Sequence, residues 1–140
     1  MTSRSDEGVS LCSPHPPPAP PGASSPGRAG HFVTTASTAA FRTVPGQSVY
    51  SGTKAAVRAI CEGLRQEAGD RLRVTIISPG MTRTNFADGM TDGEIKAQLT
   101  AARDAIAMPP AAVARAIAYA IGQPAGVDVG EIVIRPTAQA

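Results

Sequence analysis

Short β-branched runs alternate with longer stretches of helical periodicity, which predicts an α/β chain built on a parallel sheet of three strands with flanking helices. Three observations carry that expectation. The runs His31-Phe-Val-Thr-Thr-Ala36, Leu72-Arg-Val-Thr-Ile-Ile77 and Glu131-Ile-Val-Ile-Arg135 have the length and composition of strands. One long amphipathic stretch separates the first two, and two shorter helical stretches separate the last two. Connections of that length join parallel strands through right-handed crossovers.

Residues 1–30 do not belong to this pattern. Their aliphatic content is essentially Val9 and Leu11, and seven of the thirteen prolines fall between Pro14 and Pro26. Such a stretch supports neither a core nor a regular hydrogen-bond ladder, so a disordered Pro-rich tail is expected there and the folded domain is placed at 31–140. Pro17-Pro18 and Pro20-Pro21 would suit a polyproline ligand, but no charged residues flank them in the manner of such motifs.

After the first strand, Pro45-Gly46 marks the tight point of a loop. A helix is expected from about Ser48 to Ala68, because Val57, Ile60, Cys61, Leu64 and Ala68 recur at steps of three and four, and Gly69-Asp70 should end it. In the second strand, apolar Val74, Ile76 and Ile77 suit a sheet covered on both faces, with Pro79-Gly80 as the stop. Met81 to Gly93 reads as loop. Thr91 and Glu94 have capping-box spacing, which predicts a helix over Asp92 to Arg103. Pro110 suits a first helical position, and Gly122 the stop of a helix ending at Ile121.

Composition excludes several functions. Thirteen basic against eleven acidic residues leave a formal charge of +2. The arginines are scattered, tryptophan is absent and no aromatic residues interleave with a basic stripe, so no nucleic-acid surface is expected. No stretch approaches a membrane span, and the opening Met-Thr-Ser-Arg-Ser-Asp-Glu is not a secretory signal, so the expected location is cytoplasmic. Cys12 and Cys61 offer neither a disulfide framework nor metal-ligand spacing; Cys61 is expected as a small core residue and no metal site is expected.

In a parallel unit, functional groups gather beyond the carboxyl ends of the strands. Ser37 lies just past the first strand, Tyr50 at the opening of the following helix, and Ser78 to Thr84 just past the second strand. Tyr50 and Lys54, at i and i+4, project from one helical face. A phenol with a reference pKa of about 10 is a poor base at neutral pH, and a nearby ammonium favours its ionised form. With a hydroxyl such as that of Ser37 holding a carbonyl oxygen, this set can relay a proton while a hydride moves. A lone Tyr-x-x-x-Lys is common by chance, and Ser37 or Thr84 alone is an ordinary loop hydroxyl. The joint spacing carries the argument, as does the fact that lysine occurs only at Lys54 and Lys96.

Residues from about Gly30 to Gln139 resemble the C-terminal half of the short-chain dehydrogenase/reductase family. Tyr50-Ser-Gly-Thr-Lys54 matches that family's Tyr-x-x-x-Lys, Ser37 has the spacing of its serine, and Pro79-Gly80-Met81-Thr82-Arg83-Thr84 matches its nicotinamide segment. The resemblance implies catalytic roles for Ser37, Tyr50 and Lys54. Tyr50 would be the acid/base, Lys54 the cation that favours its ionised form and holds the nicotinamide ribose, and Ser37 the group that orients the substrate oxygen. Cofactor contacts would come from Tyr50, Lys54, Pro79, Gly80, Met81 and Thr84, with the Met81 backbone facing the carboxamide. Asp128 to Gln139 looks like the ending of the branch that oxidises serine-like and other 3-hydroxy acids, usually with NADP, so the resemblance implies NADP or NAD with NADP favoured. The Asp88 to Gln98 loop, with Gly89 and Gly93, would be a mobile cover.

The family's Thr-Gly-x-x-x-Gly-x-Gly loop, its Asn-Asn-Ala-Gly and its later helix asparagine do not occur among these 140 residues, and Ala36 stands where many members carry a second serine. The expected fold is therefore the C-terminal part of a Rossmann-like doubly wound sheet, a partial domain over 31–140, with the N-terminal nucleotide-binding half missing. Two functions follow. One is hydride transfer between NAD(P) and a small-molecule alcohol or carbonyl substrate. The other is a catalytically inactive truncated fragment, or a remnant that acts only by assembly. Under either, the resemblance implies that the helix carrying Tyr50 and Lys54 is the contact for a homo-oligomer or a family-like subunit.

Overall fold

The computed structural model describes residues 30–43 and 45–139. The expected Pro-rich tail, its polyproline steps and Cys12 lie outside the described residues, apart from Gly30. The elements run β1 (Gly30–Thr35), α1 (Ser48–Ala68), β2 (Leu72–Pro79), α2 (Gly93–Ile106), α3 (Pro110–Ile121) and β3 (Glu131–Ile134). The strands form a parallel sheet in the order β1-β2-β3, with Thr35 opposite Ile77 and Ile77 opposite Ile132. The three-stranded Rossmann-like arrangement expected from sequence is thus present. Among the described residues no helix is long and apolar enough to cross a membrane.

Burial of β2 on both sides sets the architecture. Val74, Thr75, Ile77 and Ser78 are fully enclosed. On one face Val74 and Ile76 meet Ala36 and Cys61, flanked by Val57, Leu64 and Leu72, so the apolar stripe of α1 lies there and Cys61 is a core residue as expected. Burial also raises the pKa of the Cys61 thiol above its ordinary value, which leaves it poorly nucleophilic. Side chains alternate along a strand, so Arg73, Thr75 and Ile77 point to the other face. There Arg73 donates to the Gln123 carbonyl just beyond α3, at 3.0 Å.

Several boundaries differ from the sequence reading. β1 begins at Gly30 rather than His31 and ends at Thr35; Ala36 leaves the strand but still donates its N–H to the Ile77 carbonyl. β2 continues two residues past Ile77 because β3 pairs with Ser78 and Pro79, and it stops at the expected Pro79-Gly80 step. β3 closes at Ile134, not Arg135. α2 starts at Gly93 and runs to Ile106, and its cap is Asp92 rather than Thr91: the Asp92 carboxylate accepts from the Glu94 and Ile95 N–H groups. Short 3-10 turns at Thr38–Ala40, Gly69–Arg71 and Phe86–Gly89 occupy stretches read as loop or helix stop.

His31 supplies a pH-dependent element. One ring nitrogen, Nε2, lies 2.8 Å from Thr75 Oγ1, and Nδ1 is buried with no hydrogen-bond partner among the described residues. Burial lowers the ring's pKa below 6.5 and the Arg73 cation adds to this, while Asp128 opposes it. A folded-state pKa below the unfolded one means that the unfolded chain binds the proton more readily. This contribution to stability is therefore complete above the unfolded value of about pH 6.5 and is lost as pH falls from there through the lower folded-state pKa. Urea titrations over a pH series should show wild type losing stability below about pH 6.5, and His31→Gln should flatten that part of the profile. Identical profiles would refute this role for His31.

Candidate active site

Ser37 is placed by the end of β1. Its backbone is extended, at φ −169° and ψ 155°, and its Oγ accepts the Ala39 N–H at 3.1 Å, capping the first 3-10 turn. That accepted bond leaves the hydroxyl hydrogen available to a substrate oxygen. Gly46, at φ 80°, turns the chain into α1. Tyr50 and Lys54 then occupy its first two turns. The Lys54 ammonium lies 5.7 Å from the Tyr50 ring centroid and donates to the Thr35 carbonyl at 3.4 Å, which ties it to the end of β1.

The segment after β2 is held almost wholly through its backbone. Gly80 N–H donates to the Ile134 carbonyl at 2.7 Å. Met81 carbonyl accepts from Met108 N–H at 3.0 Å, and Arg83 N–H donates to the Met108 carbonyl at 2.9 Å, so Thr82 and Met108 form a parallel bridge. Thr82 Oγ1 donates to the Gly80 carbonyl at 3.0 Å. Met81 N–H donates to Gln139 Oε1 at 2.7 Å.

These segments line one half-open cavity of about 460 Å³. Ser37, Tyr50, Lys54, Pro79, Gly80, Met81 and Thr84 all line it, so every residue singled out from sequence reaches the same space. Residues not singled out as site residues also line it. Phe86 packs on Tyr50 with ring centroids 5.6 Å apart and tilted by 58°. Arg42, Gln47, Leu99, Arg103 and Gln139 also stand on the wall. Among the described residues the lining holds three cations, Arg42, Lys54 and Arg103, and no carboxylate side chain. Arg103 pairs at 2.9 Å with Asp104, whose carboxyl that hydrogen bond holds below the ordinary range, and reaches the Thr84 carbonyl at 3.4 Å. Arg103 was invisible as a site residue because it sits nineteen positions from Thr84 on an otherwise ordinary amphipathic helix.

A polar brace lies behind the site. Ser78, fully buried, donates to Glu131 Oε1 at 2.6 Å, and Glu131 receives a two-oxygen contact from Arg58 at 3.0–3.1 Å. Arg58 also stacks on Phe41, 4.0 Å from the ring centroid. Arg58 is four residues past Lys54, so this brace links the Tyr50/Lys54 face of α1 to the ends of β2 and β3.

Comparison with known proteins gives a consistent picture. A family model described as short chain dehydrogenase matches residues 24–95. An uncharacterized oxidoreductase of Staphylococcus saprophyticus is 44% identical over 115 residues, covering 80% of this chain and 46% of that protein. Dehydrogenase/reductase SDR family member 11 of Mus musculus is 40% identical over 116 residues, covering 79% of this chain and 44% of that protein. The solved structure of a serine dehydrogenase in closed form, complexed with NADP+, superposes with a TM-score of 0.70 at 28% identity, over 79% of this chain and 45% of that one. A dehydrogenase/reductase from Sinorhizobium meliloti superposes with a TM-score of 0.61 at 30% identity, over 81% and 46%. The chain spans about half the length of the curated relatives it matches.

Proposed function

The chain belongs to the short chain dehydrogenase family, and from that premise we propose that it carries the proton-transfer half of a nicotinamide-dependent oxidoreductase. The observation that carries this reading is the convergence of Ser37, Tyr50, Lys54 and the Pro79–Thr84 segment on one cavity. When bound, the nicotinamide supplies or accepts the hydride. Tyr50 gives its phenolic proton to a carbonyl oxygen during reduction, or takes the hydroxyl proton during oxidation. Lys54 stabilises the negative charge that develops on the Tyr50 oxygen. Ser37, already accepting from Ala39, donates its hydrogen to the same substrate oxygen and fixes its position.

The residues present fit the cofactor's reactive end. Met81 N–H already receives the oxygen of a primary carboxamide, that of Gln139, and a nicotinamide ends in the same group. Tyr50, Lys54, Pro79, Gly80, Met81 and Thr84 are the residues we assign to hold it, with NADP favoured because a serine dehydrogenase neighbour is an NADP+ complex. Arg42, Lys54 and Arg103, the last paired with Asp104, give the cavity a basic lining, which supports an anionic substrate such as a 3-hydroxy acid.

Val49, Ala56 and Ile60 form an exposed apolar row along α1, which supports association with a second copy or a related subunit through that helix. The same row favours a second reading, in which the chain acts by assembly without catalysis. A cytoplasmic location accompanies both readings.

Titration with NADPH by fluorescence, followed by turnover assays on serine, 3-hydroxybutyrate and 3-hydroxyisobutyrate, tests the proposal in a chimera in which residues 30–139 replace the matching part of the Staphylococcus saprophyticus relative. Saturable binding and faster turnover of these acids than of uncharged secondary alcohols are expected. Association by sedimentation with neither binding nor turnover would favour the assembly reading instead.

A further inference from the structure

The turn after β3 delivers a side chain to the point where the cofactor's carboxamide is assigned. Gln139 N–H donates to the Pro136 carbonyl at 3.0 Å, and Pro136 is buried, so the turn is anchored. From that anchor the Gln139 side chain crosses Gly80 and places Oε1 2.7 Å from Met81 N. A Cβ at position 80 would overlap Gln139 Oε1 and stand 2.8 Å from Arg135 Cβ. Two consecutive residues at the exit of β2 are therefore shaped around this side chain. Gly80 makes room by having no Cβ, and Met81 supplies the donor.

Gln139 and nicotinamide share one chemical group, a primary carboxamide, and Met81 has one N–H. One N–H donates to one carboxamide oxygen at a time, so the two groups compete for it. We propose that Gln139 is a built-in competitor for the nicotinamide end of the cavity. It closes on Met81 in the free protein and swings aside when the cofactor's carboxamide takes the N–H. This inference rests on the cofactor reading proposed above. Closure lowers apparent affinity by the fraction of molecules that are open. One net hydrogen bond is worth roughly two- to tenfold in that equilibrium. The contact thus tunes affinity without abolishing binding.

The test uses the full chain, labelled with ¹⁵N, as wild type, Gln139→Ala and Gln139→Glu, with circular dichroism to verify folding. Hydrogen exchange at the Met81 amide is measured first without cofactor, and NADPH affinity is then measured by fluorescence. Met81 should exchange slowly in wild type and in Gln139→Glu, which keeps an acceptor oxygen, and faster in Gln139→Ala. Gln139→Ala should bind NADPH roughly two- to tenfold more tightly, and Gln139→Glu should show no gain. Equal Met81 exchange in all three proteins would show that the closed contact does not form. A released Met81 amide with unchanged or weaker NADPH binding would show that the contact does not compete. Gln139-dependent protection together with no NADPH binding by any variant would overturn the cofactor reading itself, and the competition with it.

Discussion

Tyr50→Phe is expected to slow hydride transfer by roughly 10²–10⁴-fold while leaving NADPH affinity nearly unchanged. The substitution keeps the ring that packs on Phe86 at 5.6 Å and the cation contact with Lys54, so the cavity wall survives. It removes the one group assigned to move the proton. The measurement is single-turnover hydride transfer, with cofactor affinity determined separately. A suitable protein is a chimera in which residues 30–139 replace the matching part of the Staphylococcus saprophyticus relative, which is 44% identical there. Lys54→Met in the same chimera should impair binding as well as chemistry, because that side chain is assigned to the ribose and also stabilises charge on Tyr50. Near-normal transfer by Tyr50→Phe would remove Tyr50 from the mechanism whatever the family.

Ile77→Ala should produce the largest loss of stability, about 2–5 kcal/mol. Ile77 is fully buried in the central strand, opposite Thr35 on one side and Ile132 on the other. Truncation removes the transfer free energy of its methyl groups and leaves a cavity that two paired strands cannot collapse to fill. Val133→Ala in β3 is the control, since Val133 is 48% exposed, and its cost should be far smaller. Urea unfolding of the two variants makes the comparison. A cost for Ile77→Ala no greater than that for Val133→Ala would mean that the second face of the sheet is not closed. The same loss should weaken the site, because β2 leads directly into Pro79–Thr84.

By itself the sequence determined those features whose physics is local. The 3- and 4-residue recurrence of Val57, Cys61 and Leu64 specified α1 with its observed ends, and Pro110 and Gly122 bounded α3, because capping and periodicity act within a few residues. The placement of Tyr50 and Lys54 was legible for the same reason: i and i+4 share a helical face wherever the helix lies. The apolar Val74, Ile76 and Ile77 of β2 announced a strand covered twice. The tertiary structure decided whatever depends on partners distant in sequence. β3, more than fifty residues away, carried β2 past Ile77 into Pro79. Glu131 joined Ser78 to Arg58, and α2 brought Arg103 to the cavity. Gln139 came to rest on Met81, 58 positions away, because the sheet register sets the turn after β3 beside the turn after β2. No local pattern encodes such contacts, since each side chain is ordinary in its own segment and acquires its role only when parallel pairing aligns the carboxyl ends of the strands.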